Sequence, residues 1–583
     1  MAQIDLQHTI KEALFEAVTT YLKGEASPFA SAEQLPLEHP IEAHGDYASP
    51  VAFALAKRVK KNPAEVAKEI AAIITAEPDK KFVEIIGNVS VTGPFINMTL
   101  APEFLEQLPR SINKLGSKYG TSKAGKKQRI VIEYSGVNIG KPFNIGHLRS
   151  TVNGTAIGNL LEATGSRVVR LNYLGDWGTQ FGKLIAGFKQ WGNEQALKDT
   201  PIEELMRVYV KFHEEAAKDE RLIEEGREWF RKLEAGDKEA LRLWQEFVDV
   251  SLAHAKKIYT LLETPFDRME EGEAQYRGDL KKILGLLEAK GLLKKSQGAT
   301  IVDLEAEKMP PLLVQKTDEA SLYATRELAA AIARQKKYKF SAMLYEVGLE
   351  QQLHFKQVFT VLKKMGFAWA DQLEHIGHGL YRMGGKKMST RAGRTSGMYE
   401  ILLEAIERAK KVIASKNPDL KNADEIARQV GIGAVKYNDL SQNRLHSIDF
   451  DFDRMLSLEG NSAPYLQYTH ARIKSILRKA EAGEGSALAE QTEAAVDPVE
   501  LLLARRLVRY PEVVAEAARR RMPHLLATEL YELASRFNLY YQKVPVLKAA
   551  EPARAQRIKL IAAVAQTLEN GLGLLGIHAP DEM

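Results

Sequence analysis

Residues 133–150 read "EYSGVNIGKPFNIGHLRS", and the way this stretch turns decides the fold. Just upstream, "RIVIEYS" is a mostly apolar run with β-branched residues, which reads as a strand. Downstream, "GHLRSTVNGTAIGNLLEATG" carries its apolar residues at helical spacing, and Gly165 suits a helix C-cap. "SRVVRLNYLG" then returns as a strand. Strand, loop, helix and strand make a βαβ unit, and ligands in such sheets sit at the carboxyl ends of strands, where loops enter helices. The quoted loop is therefore the first place to look for chemistry.

Working outward, the first hundred residues alternate helical patterns with a strand-like segment, "KKFVEIIGNVSVTGPFINMTL", and close at "GTSKAGKKQ", which reads as a linker. From about 185 to 300 charged helical segments such as "IEELMRVYVKFHEEAAKDERLIEEG" look like an insertion. Sheet-like patterns resume with "ATIVDL", "PLLVQK", "AMLYEVG" and "GLYRMGG". Beyond about 400 the periodicity is helical, broken by the polar "AEAGEGSALAEQTEAAVDP".

Bulk composition narrows the class. With 583 residues, 45% hydrophobic and 27% charged, the chain is an ordinary globular protein of several domains. No apolar stretch reaches bilayer length, and "MAQIDLQHTIKEALFEAVTTYL" reads as an amphipathic helix and not as an export signal, so a cytoplasmic protein with no membrane partner is expected. Zero cysteines exclude disulfides and thiolate zinc sites, and no HExxH pairing occurs; no protein-bound structural metal is expected. A net charge of +5 is compatible with an RNA partner without requiring one.

A histidine that handles phosphate belongs at the mouth of a helix, where free N–H groups and the positive dipole end favour anions. "HIGHGLYRMGGKKMSTR", residues 375–391, spells a four-letter adenylate-forming signature, but His375 and His378 lead into a strand-like "GLYRM" and read as a coincidence of spelling. "NIGH", Asn144 to His147, stands instead where a strand gives way to a helix. Its asparagine replaces the first histidine; it can donate to a phosphate oxygen but cannot become cationic.

"EYSGVNIGKPFNIGHLRST", "LNYLGDWGTQFGKL", "SLYATRELAAA", "VGLEQQLHFKQV", "GGKKMSTRAG" and "SAPYLQYTHARI", in that order, resemble successive signatures of the arginyl-tRNA synthetases, a class I aminoacyl-tRNA synthetase family. The resemblance implies a multidomain α/β chain: a small α+β tRNA-contacting domain over 1–122, a Rossmann-type parallel-sheet catalytic domain over 123–400, a helical linker over 401–455 and an all-helical anticodon-binding domain over 456–583. It implies ligation of L-arginine to the 3′ end of tRNA(Arg) with ATP, magnesium arriving on the nucleotide and activation depending on bound tRNA. A monomer is expected. Such chemistry rests on positioning and on charge stabilisation at the phosphates, so donors and lysines are called for and no nucleophilic serine or cysteine.

By this resemblance Lys387 and Ser389 belong to a mobile loop that meets the leaving pyrophosphate, with Met388 against the nucleotide. Thr390 stands where the general class I pattern has a second lysine, and Lys141 supplies that charge from the opposite side. Asn144 and His147 complete the catalytic set; Gly146, His147, His354 and Gln357 face ATP, although helical spacing equally suits packing for the last two. Glu133, Ser135 and Asn138 surround the substrate amino acid, with Tyr323, Glu327 and Gln351 closing the pocket. A guanidinium is planar and rich in donors, so carboxylates and carbonyls in its plane are the selective partners, and Tyr323 and Glu327 lie one helical turn apart. The family usually has aspartate at Glu327, and the extra methylene moves the carboxylate by about an ångström or more. "DWGTQFG", residues 176–182, reads as a tight turn with a core tryptophan or, by resemblance, as the active-site floor near the tRNA end.

For the RNA, Tyr465, Tyr468 and Arg472 share one helix face and form an aromatic and basic stripe that can stack bases. Met583 is carried over as an anticodon-side contact. In "GPFIN", Phe95 would stack and Asn97 would hydrogen-bond a D-loop nucleotide, or the segment is a plain strand end with a buried phenylalanine.

Other functions fit less well. Cysteinyl and methionyl enzymes commonly use zinc or cysteine-rich elements. The roughly 240 residues between His147 and Lys387 leave no room for the editing domain of the leucyl, isoleucyl and valyl enzymes, and arginine's donor pattern makes editing unnecessary. Glutamyl and glutaminyl substrates ask for donors where this loop offers carboxylates. A small nucleotidyltransferase has no use for the long helical tail, and a non-catalytic RNA-binding paralogue would not need Lys141, His147, Lys387 and Ser389.

Overall fold

The protein is described by a computed structural model over residues 6–76, 78–269, 271–315, 323–383, 386–387, 397–483 and 497–583. Contacts divide it into two compact units: Met1–Tyr119, Arg472–Pro511 and Glu532–Asn570 form one, and Gly120–Ala471, Glu512–Tyr531 and Gly571–Met583 the other.

The second unit is organised by a four-stranded, all-parallel sheet. Its strands run in the order Leu373–His378, Ala342–Gly348, Arg129–Glu133, Arg167–Leu171. Ile130, Val131 and Ile132 are all buried, the pattern of a strand covered on both faces. Helix Ile145–Ala163 makes the crossover to Arg167–Leu171 and is buried nearly all round, because it is sandwiched between the sheet and the later helices. Gly154 is required there: a Cβ would lie 2.2 Å from the Tyr134 ring. The helix ends as its sequence suggests, with Gly165 at φ +94° and its N–H donating to Glu162 O at 2.8 Å.

The first crossover leaves Arg129–Glu133 toward one edge and the second half of the sheet builds toward the other. The topological switch therefore lies between Arg129–Glu133 and Ala342–Gly348, and the place where sheets of this kind bind ligands is beyond their carboxyl ends, at Glu133 and Gly348.

Several expectations are corrected. The sheet-like "ATIVDL" and "PLLVQK" are strands Ala299–Val302 and Leu312–Gln315, but of a separate sheet: Ala299–Val302 is its middle strand, antiparallel to both Leu293–Ser296 and Leu312–Gln315, since short connections favour antiparallel neighbours. "GTSKAGKKQ" is not a free linker: Ser122 N–H donates to Ala163 O and Gly125 N–H to Thr164 O, both at 2.8 Å, closing the end of the 145–163 helix. "HIGH" does more than lead into a strand; it is the end of parallel strand Leu373–His378. The insertion expected over about 185–300 is helical, through the long helix Lys238–Leu261, the turn Glu273–Asp279 and helix Leu280–Ala289.

Helix Ile145–Ala163 is tied to helix Ala423–Leu440 by a buried ion pair, Arg149 Nε to Asp439 Oδ2 at 3.2 Å, to which Asn153 Nδ2 adds a bond of 2.8 Å.

In the first unit, strands Tyr47–Ser49, Phe95–Leu100 and Ile86–Thr92 form an antiparallel sheet in that order. The segment "KKFVEI" is helical, contrary to its strand-like reading, because the Asp79 carboxylate caps it, accepting from Lys81 N–H at 2.9 Å. Helix Leu6–Tyr21 buries Ile10, Leu14 and Val18, the amphipathic face read in the sequence. Arg472–Pro511 and Glu532–Asn570 of the helical tail belong to this unit, where the Tyr119 hydroxyl donates to Leu507 O at 2.6 Å.

Candidate active site

The mouth of helix Ile145–Ala163 is built by "NIGH" itself. Asn144 is its N-cap: Oδ1 accepts from Gly146 N–H at 2.9 Å, and His147 Nδ1 accepts from Asn144 N–H at 3.2 Å, a reciprocal capping box. Two consequences follow. The Asn144 amide keeps its NH2 as a donor, and His147, with Nδ1 accepting, carries its proton on Nε2. Burial pushes His147 down to about 4, with the Lys141 charge acting in the same direction, so the ring is neutral at pH 7. The mouth thus presents donors to an anion without a histidine charge. Gly146 is exposed there, and Lys141 is half-buried in the loop ahead of it.

Ser135 holds φ +74°, a left-handed conformation rare for serine. Hydrogen bonds fix it: its N–H donates to Ser150 Oγ at 2.8 Å, and its hydroxyl lies 2.8 Å from Tyr259 Oη and 2.9 Å from Thr151 Oγ1. The Ser135 side chain is thus engaged inside the protein. Asn138 is exposed and bridges to Gly175, its neighbour Ile139 donating to Gly175 O at 3.2 Å.

A pocket of acids lies beyond the strand ends. Glu133 is buried and its Oε2 accepts from Arg334 Nη1 at 2.5 Å, while Arg334 Nε donates to Glu271 at 3.0 Å and its guanidinium covers the Tyr173 ring at 4.5 Å. Glu327 is 1% exposed, and among the described residues its Oε1 has no hydrogen-bond partner. Burial first, then the Glu133 charge, push Glu327 up to about 8. Tyr323, one turn earlier, bonds to the same carboxylate and sets its ring 4.8 Å from that of His354.

Sequence reading missed part of this pocket. The segment leaving the insertion runs alongside the sheet, Leu171 bridging to Arg268 and Leu174 to Gly272, which delivers Glu271 and Glu273 to the strand ends. Glu273, pushed up to about 7 by burial, receives Arg326 at 2.8 Å. Asp176 accepts from Ala274 N–H at 2.8 Å and is pushed up to about 6, again by burial. Only glycine fits at 272, since a Cβ would meet the Asp176 carboxylate at 2.4 Å. Acids raised this way mark a site short of positive charge. The one local clue was "EGE", residues 271–273, at the close of the insertion. Trp177 is a core residue, packed edge-on to Trp244 at 5.6 Å, as the core-tryptophan alternative for "DWGTQFG" has it, and Asp176 acts electrostatically on Glu273.

Of the residues expected to face ATP, His354 has a buried Nε2 with no partner among the described residues, and burial pushes its ring down to about 4. Gln357 donates from Nε2 to Pro310 O at 2.8 Å, the packing alternative; Gln351 is the N-cap of helix Gln352–Lys364. In "HIGH", His378 Nδ1 lies 3.0 Å from Glu346 Oε1 and the His375 ring stacks on Phe355 at 5.1 Å, so both rings are spent within the sheet layer. Lys386–Lys387 pairs with Arg382 and Met383; the Lys387 side chain, Met388 and Ser389 lie outside the described residues. Among the described residues no cluster of His, Asp and Glu could hold a metal ion, and no helix is long and apolar enough to cross a membrane.

Comparison with known proteins bears on this site. Residues 111–452 match the model of the class I (R) tRNA synthetase catalytic domain, 5–100 the arginyl tRNA synthetase N-terminal domain, and 466–583 the DALR anticodon-binding domain. The chain belongs to the arginyl-tRNA synthetase family. It is 45% identical over 540 residues to arginine–tRNA ligase 2 of Bacillus anthracis, covering 92% of this chain and 94% of that one. It is 44% identical over 575 residues to the arginine–tRNA ligase of Enterococcus faecalis, covering 98% and 100%. The solved arginyl-tRNA synthetase of Thermus thermophilus superposes with a TM-score of 0.82 at 27% identity, covering 99% and 100%.

In this member of the arginyl-tRNA synthetase family the RNA candidates are divided between the two units. Tyr465 and Tyr468 are half-buried on helix Ala463–Glu481, and the Tyr465 ring lies 5.7 Å from that of Tyr531. Arg472, in the other unit, donates to Asn538 Oδ1 at 2.8 Å. Met583 is half-buried at the end of the chain. Phe95 is half-buried and meets Phe53 edge-on at 5.7 Å, with Phe53 itself 49% exposed. Asn97 is 3% exposed and donates to Thr92 Oγ1 at 3.0 Å, so it points into the hairpin instead of toward solvent.

Proposed function

We propose that the protein is an ATP-dependent arginine–tRNA ligase, forming arginyl-adenylate and pyrophosphate and then passing arginine to the 3′ end of tRNA(Arg). The observation that carries the choice of arginine is Glu327, a buried carboxylate with an oxygen left unbonded, raised toward neutrality and surrounded by Glu133, Glu273 and Tyr323. An unsatisfied buried acid is costly and is relieved by a cationic donor. Arginine brings that cation in a planar fork suited to a carboxylate. A glutamate substrate would add a negative charge to the same pocket.

In this reading Glu133, Ser135, Asn138, Tyr323, Glu327 and Gln351 surround arginine, Ser135 acting through its fixed backbone turn. ATP, with magnesium carried on it, lies at the donor-rich mouth formed by Asn144, Gly146 and His147, near His354, with Gln357 behind it. Lys141 meets the phosphates from one side and the Lys387–Ser389 loop, with Met388, from the other. Phe95 takes the D-loop, with Asn97 bracing its hairpin from within, and Tyr465, Tyr468, Arg472 and Met583 take the anticodon side. The working enzyme is a cytoplasmic monomer, with domains over 1–122, 123–400, 401–455 and 456–583, whose activation step waits for tRNA.

Arginine-dependent ATP–pyrophosphate exchange tests this, run with and without tRNA(Arg) beside glutamate and lysine controls. Exchange with arginine alone among the amino acids, and only when tRNA is present, is the expected result. Exchange with another amino acid overturns the specificity reading; no exchange with folded, tRNA-bound protein overturns the enzymatic one.

A further inference from the structure

We infer that Tyr209, on helix Pro201–Ala216 of the insertion, is a positioning residue that holds the Lys141 ammonium at the phosphate mouth. The inference rests on the reading that Lys141 serves ATP. Lys141 Nζ stands over the Tyr209 ring with 5.4 Å to the centroid, inside the range in which an aromatic face attracts a cation. The same ammonium acts electrostatically on His147, so it lies between the insertion and the helix mouth. Tyr209 is itself held: its ring meets His213 edge-on at 4.6 Å, and its helix packs on helix Thr179–Trp191 through Val208 and Phe212, which close on Gly187.

A lysine has four rotatable bonds and a strongly hydrated head, so in an open loop it spreads over many positions. A fixed ring face narrows that distribution. The insertion, which contributes Glu271 and Glu273 to the acid pocket at its far end, would then serve the phosphate side as well.

The test is ATP–pyrophosphate exchange with saturating arginine and tRNA for wild type, Tyr209→Phe, Tyr209→Leu, Lys141→Ala and the Lys141→Ala/Tyr209→Leu double variant. Tyr209→Leu should raise the KM for ATP or lower the exchange rate by about threefold to tenfold, while the KM for arginine stays put. Tyr209→Phe should be near wild type, and the leucine effect should vanish once Lys141 is absent. A leucine effect that persists in the Lys141→Ala background, or a phenylalanine variant as poor as leucine, overturns the inference. Reductive 13C-methylation reads the seat independently of activity: ring current should displace the Lys141 methyl resonance in wild type and Tyr209→Phe but not in Tyr209→Leu. If Lys141→Ala keeps full exchange while that displacement is seen, the ATP role of Lys141 falls and the seat stands; with no displacement, the seat falls.

Discussion

Arg334 donates to Glu133 and Glu271 at once, so the carboxylate closing the central strand is already held by a guanidinium of the chain's own. Among the described residues no such cation meets the free oxygen of Glu327. The pocket therefore divides into acids neutralised from within and one acid that awaits a ligand.

Removing the internal cation should cost stability before it costs specificity. Arg334→Met leaves two buried glutamates without their guanidinium, and a loss of about 3–5 kcal/mol is expected. Thermal unfolding measures it, and adding Glu133→Gln to the same chain should recover part of the loss.

Glu327→Gln should raise the KM for arginine by about 10- to 100-fold, the worth of a hydrogen bond to a charged group, and leave the KM for ATP unchanged. Steady-state exchange at varied arginine and varied ATP separates the two.

Arginine affinity should rise with pH. Because Glu327 sits near 8 in the free protein, binding a guanidinium expels one proton, so the Kd should fall about tenfold per pH unit up to about 8 and then level off. Calorimetry in buffers of different ionisation enthalpy counts the proton directly.

Stability of the free protein should run the other way. The folded state binds the Glu327 proton more tightly than the unfolded chain, whose value is near 4.5. The contribution is therefore fully present below about 4.5 and is lost as pH rises through about 8. Glu327→Gln removes this slope: its melting temperature should match wild type near pH 5 and exceed it near pH 9.

His147 is neutral from pH 5.5 upward, being held near 4, so the exchange rate should show no limb near 6.5 from this residue. Its Nε2 proton is what matters. His147→Ala should lower the rate while leaving the shape of the pH profile intact, which a buffered pH–rate series checks.

What the sequence made legible was local. The strand-to-helix turn, the N-cap at Asn144 and the stop at Gly165 are each written within a few residues, because caps and turns are decided by immediate neighbours. Glu271, Glu273 and Arg334 were not legible. Arg334 sits in "ARQKKY", which looks like a solvated basic run, and the two glutamates reach the site only through the bridges from Leu171 and Leu174 to the 268–272 segment. Those bridges pair residues nearly a hundred positions apart, and no local period announces them. "KKFVEI" misled for the opposite reason: six residues are too few to separate the two periodicities, and the Asp79 cap decides between them.

The Glu133–Arg334 pair also sets a clock on the protein's synthesis. Its members are 201 residues apart, and at about 5–20 residues per second a ribosome needs roughly ten to forty seconds to deliver the second after the first. Through that interval strand Arg129–Glu133 lacks its neighbour Ala342–Gly348, and a carboxylate destined for burial stays in water. The acid pocket thus cannot form until the chain has been made past Arg334, and a chain released before then carries a sheet edge open to other chains.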